Sequence, residues 1–135
     1  MTEFTVIRNN RHLIATSRDG KVYLAIGWHN PSTGKTQNTK TVVIHGRSLD
    51  YLYAALIHAD CLDPAGNVRL HLKRHTIFVK WEDSSRKFTV VEHKDNDRIV
   101  LRLSPTDSYN LAALCRRTAD WAFLKEMLDD SRNSL

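Results

Sequence analysis

The chain has 135 residues, 41% of them hydrophobic and 26% charged, which is ordinary globular usage and excludes global disorder. Twenty Lys and Arg against fifteen Asp and Glu give a net charge of +5, a lead toward a polyanionic partner. No apolar run approaches the roughly 18 residues of a membrane span, and the Met1–Val6 start has neither the basic nor the apolar region of a secretory signal, so an intracellular protein of cytoplasm or nucleus, without membrane contact, is expected.

Phe4 to Asn9 reads as a strand, closed by the turn pair Asn9-Asn10. His12 to Ser17 is a second strand, ended by Asp19-Gly20, a strong hairpin signal. Lys21 to Trp28 alternates, with Val22, Leu24, Ile26 and Trp28 on one face and Lys21, Tyr23, Ala25 and Gly27 on the other. A polar loop leads to a fourth strand, Lys40 to His45. Ser48 is the expected cap of a helix from Leu49 to about Ala59. Asp63-Pro64-Ala65-Gly66 forms a joint. Four more strands then follow, at Asn67–Lys73, Thr76–Glu82, Lys87–Lys94 and Arg98–Leu103. Ser104-Pro105 opens a last helix, which could break near Thr118 and carries Trp121, Leu124 and Leu128 as an apolar stripe for packing within the chain or between subunits.

The order of elements therefore repeats. Tyr51 and Tyr109 are each followed three residues on by Ala-Ala-Leu, at Ala54-Ala55-Leu56 and Ala112-Ala113-Leu114. The expected fold class is α+β: two ββββα units in tandem, with antiparallel four-stranded sheets packed with helices. Residues 1–135 read as a single domain of two pseudo-repeats, 1–63 and 67–131, the second with an extended C-terminal helix. A unit of about 60 residues buries only a marginal core, so the halves should pack together.

Charge is uneven along this plan. Residues 1–66 carry seven basic and five acidic groups, 67–105 nine and five, and 106–135 four and five. In the second half, alternation sets Arg69, His71 and Lys73 opposite Val68, Leu70 and Leu72; Phe78 and Lys80 opposite Ile77 and Val79; and Arg98 and Arg102 opposite Ile99 and Leu101. Side by side in a sheet, these make a positive surface interrupted by an aromatic ring. Cations follow phosphates and a ring stacks on an unpaired base, which suits single-stranded nucleic acid. Lys87 belongs to the same candidate set, and Lys21 with Tyr23 repeats the pairing in the first half.

The run Asp19-Gly-Lys-Val-Tyr-Leu-Ala-Ile-Gly-Trp28, with Pro31, Gly34, Lys40, Val42 and Ile44 before a helix, resembles the positive cofactor four family of transcription coactivators over roughly residues 12–57. The doubling of the unit is similar to the Whirly and mitochondrial guide-RNA-binding proteins. The resemblance implies a sheet surface binding single-stranded DNA or RNA with little sequence preference, and carries Lys21, Trp28, Lys35 and Lys40 over as basic and aromatic contacts. Gly27 stands where that family tends to have a basic residue. The expected function is thus a non-enzymatic single-stranded DNA-binding protein in transcription, replication or recombination. The alternatives are single-stranded RNA binding, or a protein-interaction module docking on an acidic partner such as a polymerase. The partner state expected is a homo-oligomer or a single-chain pseudo-dimer.

Other motifs carry less. Thr33-Gly34-Lys35-Thr36 imitates the end of a phosphate-binding loop, but His29 replaces its first Gly and a strand follows it. His71 and His75 flank a turn without a third ligand, and Asp95 with Asp97 suits a backbone turn better than a nuclease centre. Cys61 and Cys115 show no CxxC spacing and read as small buried residues. No catalytic residue, metal or cofactor is expected.

Overall fold

The computed structural model describes residues 2–58, 60 and 62–133. Four strands, β1 (Thr2–Arg8), β2 (Arg11–Arg18), β3 (Lys21–His29) and β4 (Thr36–His45), form one antiparallel sheet in chain order. Helix α1 (Arg47–Ile57) follows. A second antiparallel sheet joins β5 (Asn67–His71), β6 (His75–Glu82), β7 (Ser85–Glu92) and β8 (Arg98–Leu103), again in chain order, before helix α2 (Pro105–Asn133). The ββββα plan thus occurs twice.

Turn chemistry sets the first hairpins. Asn9 and Asn10 (φ 50° and 65°) and Asp19 and Gly20 (φ 53° and 75°) occupy the left-handed region that two-residue hairpin loops require. Between β3 and β4 the register slips at Ile26 and Gly27. Here a side chain on Gly27 would put its Cβ 1.8 Å from the Gln37 carbonyl oxygen, so the close approach of the bulged strand excludes every other residue.

Each sheet turns one face inward. Leu13, Val22, Leu24, Ile26, Val42 and Ile44 from the first sheet meet Ile77, Val79, Phe88, Val90, Leu101 and Leu103 from the second in one buried cluster with the apolar faces of both helices. Cys115 lies inside it, and burial pushes its thiol up to about 12, so it stays protonated and inert. Cys61 lies outside the described residues.

The helices are secured by the opposite halves. From β6, Trp81 Nε1 donates to the Ala55 carbonyl of α1 at 2.8 Å, and the Arg86 guanidinium of β7 lies 3.7 Å over the Trp81 ring while its Nε donates to the Leu56 carbonyl at 3.3 Å. Burial lowers the pKa of Arg86. Because the last turn of α1 holds no basic residue of its own, Arg86 supplies the cation that helix end favours. In return, Thr118 of α2 shares a 2.6 Å hydroxyl contact with Ser17 of β2, and Asp107 pairs with Arg8 of β1 at 2.8 Å.

Strand and helix ends shift from expectation by one or two residues in several elements, β7 among them at Ser85–Glu92 instead of Lys87–Lys94, and four differences bear on the scaffold or the site. β4 begins at Thr36, four residues early, because the bulge lets the loop side of the hairpin keep pairing with β3. Gly46, not Ser48, is the N-cap of α1, and it makes no side-chain cap bond. β5 ends at His71, leaving Lys73 in the turn. α2 runs unbroken through Thr118, whose hydroxyl donates back to the Leu114 carbonyl at 2.7 Å. Its start is as expected: the Ser104 hydroxyl accepts from the Asp107 amide and the Asp107 carboxylate accepts from the Ser104 amide, a reciprocal cap.

Candidate nucleic-acid interface

Pairing register arranges the outward residues of the second sheet into rows. One row runs Asn67, Lys80, Lys87, Arg102; the next Arg69, Phe78, Thr89, Val100; the third His71, Thr76, Val91, Arg98. Of the five Lys and Arg side chains on this face, Arg69, Lys80 and Lys87 neighbour the half-buried ring of Phe78, and Arg98 and Arg102 lie two strands away on β8. Within the strands, Glu82 is the acidic residue on this face, and it pairs with Arg102 at 2.9 Å. Among the described residues, Arg69, Lys80, Lys87 and Arg98 have no carboxylate partner. At the end of the third row, the His71 and His93 rings stack with centroids 4.7 Å apart, and the Thr76 hydroxyl bridges His71 Nδ1 (3.2 Å) and His93 Nε2 (2.8 Å).

The outer face of the first sheet is less charged. Tyr23 is half-buried there under the Arg18 guanidinium, 4.6 Å from its ring, and Lys21 is exposed beside it. Between this sheet and the β5–β6 turn lies a cleft of about 480 Å³ whose lining includes Lys21, Val43, His45, His71, Lys73 and Arg74. Trp28 and Lys35 form a separate group in the groove beside the β3–β4 loop. Trp28 is 48% exposed, since it lies beyond the core, and Arg11 covers its ring at 4.9 Å.

Lys40 is a correction. It shares a strand face with Val42 and Ile44, and that face is the inner one. Its side chain is 1% exposed, with Nζ 2.8 Å from Asp97 and 3.5 Å from Glu92 at the β7–β8 end. Burial lowers the ammonium's pKa, but the hydrogen bond and charge of Asp97, with those of Glu92, more than offset that and leave it raised. The same contact lowers Asp97. Lys40 is therefore an internal tie between the halves and not a phosphate contact.

His71 is exposed at the end of β5 and His75 is buried at the start of β6, and both border the cleft at the turn between them. Desolvation lowers the His75 pKa; Glu92 opposes this, and Lys40, His93 and Arg74 reinforce it. Among the described residues no group of three or more His, Cys, Asp or Glu side chains could hold a metal ion, and no helix is long and apolar enough to cross a membrane. The Thr33–Thr36 motif sits in a hairpin loop leading into β4, with no helix behind it.

Sequence reading missed Arg74 and His45 at the cleft, Arg11 over Trp28 and the His93 stack. Arg74 was one residue past a strand read two residues too long, and the others depend on contacts across strands.

No family model and no curated protein matches the chain. Solved structures do. A guide-RNA-binding protein complex bound to a guide RNA matches with a TM-score of 0.69 at 11% identity, over 88% of this chain and 90% of that one. The plant transcriptional regulator PBF-2 matches at 0.63 and 8% identity over 96% and 86%, and WHY1 from Arabidopsis thaliana at 0.61 and 9% over 98% and 91%. The fold is Whirly-like. At these identities the likeness concerns the arrangement of the backbone.

Proposed function

We propose that this chain is a non-enzymatic, intracellular protein that binds single-stranded DNA with little sequence preference, as one domain built from two pseudo-repeats. The observation that carries the reading is the outer face of the second sheet, where Phe78 shares one surface with four unpaired cations. Phosphates are met by Arg69, Lys80, Lys87 and Arg98, while the ring offers a stacking platform that any base can use. Lys21, Tyr23, Trp28, Lys35, His71 and Lys73 extend the contact surface. Nucleic-acid binding is also supported by the Whirly-like neighbours, one of which is described as bound to a guide RNA and another as a transcriptional regulator. RNA is the second reading, on the strength of that guide-RNA complex. A coactivator-like role rests on the positive-cofactor-four resemblance of residues 12–57, with replication and recombination as the other settings for a protein that holds unpaired strands.

The test is fluorescence anisotropy with matched single-stranded DNA, duplex DNA and RNA across a salt series. Single strands should bind tighter than duplex, with affinity falling as salt rises. No change in anisotropy with single-stranded DNA or RNA at low salt would end the proposal, and equal affinity for both would mean the 2′-hydroxyl is not read. Self-association belongs to the same proposal. Beyond Thr118, α2 leaves Trp121, Phe123, Leu124, Met127 and Leu128 each between 48% and 62% exposed, a stripe that a second copy would cover. Light scattering should give a mass above one chain, and the L124D/L128D variant should return it to a monomer. A monomeric wild type would leave the single-chain pseudo-dimer.

A further inference from the structure

The cleft between β4 and the β5–β6 turn has a lining unlike the rest of the surface. Lys21, Lys73 and Arg74 converge on about 480 Å³ together with His45, His71 and His75, and no Asp or Glu lines it. Among the described residues, none of the three cations has an ion-pair partner. Like charges gathered around one concavity repel each other, and an anion in the cleft relieves that repulsion.

Position gives the cleft a second meaning. Its one wall belongs to the outer face of the first sheet, since Val43 pairs directly with Tyr23 across β3 and β4. Its other wall includes His71, which opens the row ending at Arg98 on the second sheet. The cleft is therefore where the two outer faces meet. On the far side of Lys21 and His45, a separate groove is lined by Asp19 and by Lys125, Glu126 and Asp129 of α2, a lining more acidic than that of the cleft. A strand leaving the second sheet thus meets only cations and histidines among the charged and titratable groups of the cleft, and a mixed lining richer in carboxylates beside α2.

We infer that this cleft is a phosphate-binding step, held by Lys21, Lys73 and Arg74, that carries one nucleic-acid strand from the outer face of the second sheet onto that of the first. The two sheets then form a single track. This inference rests on the single-strand reading above and adds a path and two residues, Arg74 and His45, that neither half suggested alone.

The experiment compares wild type, K73A/R74A and K80A/K87A for binding an oligo-dT of about 20 nucleotides across a salt series, with thermal melts alongside. Lys73 and Arg74 are exposed turn residues, so the melt of K73A/R74A should match wild type; K73Q/R74Q replaces it if it does not. Loss of two phosphate contacts lowers the salt slope by about 1.4 and the affinity by about 25-fold at 0.1 M salt. If K73A/R74A binds like wild type while K80A/K87A is weakened, the cleft inference is overturned and the sheet-face reading stands. If wild type binds no oligomer, the sheet-face reading fails and the cleft inference goes with it.

Discussion

On the outer face of the second sheet, phosphate contacts and base stacking can be separated by two substitutions. Lys80 and Lys87 are direct register partners, neither ion-paired to a carboxylate among the described residues, whereas Phe78 stands in the next row, flanked by Arg69 and Thr89. Each single-strand phosphate neutralised contributes about 0.7 to the slope of log affinity against log salt, so the four unpaired cations of this face account for a slope of about 2.8. The K80A/K87A variant should lose about 1.4 of that slope and about 25-fold in affinity at 0.1 M salt. Phe78→Ala removes a stacking platform of about 1–3 kcal/mol, or roughly 5- to 150-fold, while leaving the slope as in wild type, since no charge is lost. Phe78 lies on the outward face, so the inner cluster is untouched and the thermal melt should move little. Anisotropy titrations of oligo-dT at four or more salt concentrations read both quantities. A slope change in Phe78→Ala equal to that of K80A/K87A, or wild-type binding by Phe78→Ala, would refute this division of labour.

Three further outcomes concern the scaffold. Gly27→Ala should destabilise by about 3 kcal/mol or fail to accumulate as folded protein, because its Cβ meets the Gln37 carbonyl at 1.8 Å, and a melt indistinguishable from wild type would contradict the bulge. Trp81→Phe leaves the Ala55 carbonyl without its 2.8 Å donor and should cost about 1–3 kcal/mol in urea unfolding, with Arg86 still stacked on the ring. His75 has a folded pKa below its unfolded value of 6.5, so the folded state takes up fewer protons than the unfolded chain below that pH. Its contribution is complete above about pH 6.5 and is lost as pH falls toward the folded value; urea midpoints between pH 7.5 and 5.5 should decline in wild type and decline less in His75→Gln.

Much of this was legible because a strand has a period of two. Arg69, Phe78, Lys80, Arg98 and Arg102 fall on one face whatever the exact ends of their strands, and antiparallel pairing then brings them side by side. The same rule would have placed Lys40 inward with Val42 and Ile44. The family resemblance, which treats a Lys at the head of that strand as a contact, pulled it outward instead. What the sequence did not display is the partner that makes a buried ammonium tolerable, since Asp97 and Glu92 come from the other half. Trp28 follows the parity of Ile26 but sits past the end of the core, and alternation says which side a residue faces, not whether anything covers it. The cleft was invisible for a related reason: Lys21 and Arg74 meet through the packing of two sheets, which no local pattern encodes.

The crossed anchoring of the helices has a consequence for how the chain holds together. Trp81 and Arg86 fasten the helix of the first half, and Ser17 and Arg8 fasten that of the second, so neither half retains its full set of contacts alone. The link between Ile57 and Asn67 makes their meeting intramolecular, at an effective concentration of the millimolar order for a short tether. Cleaving that link would leave two fragments whose structure depends on dilution: assembled and able to hold a strand at high concentration, and separate at low. A tandem repeat of this kind is a dimer whose dissociation has been removed by a few residues of chain.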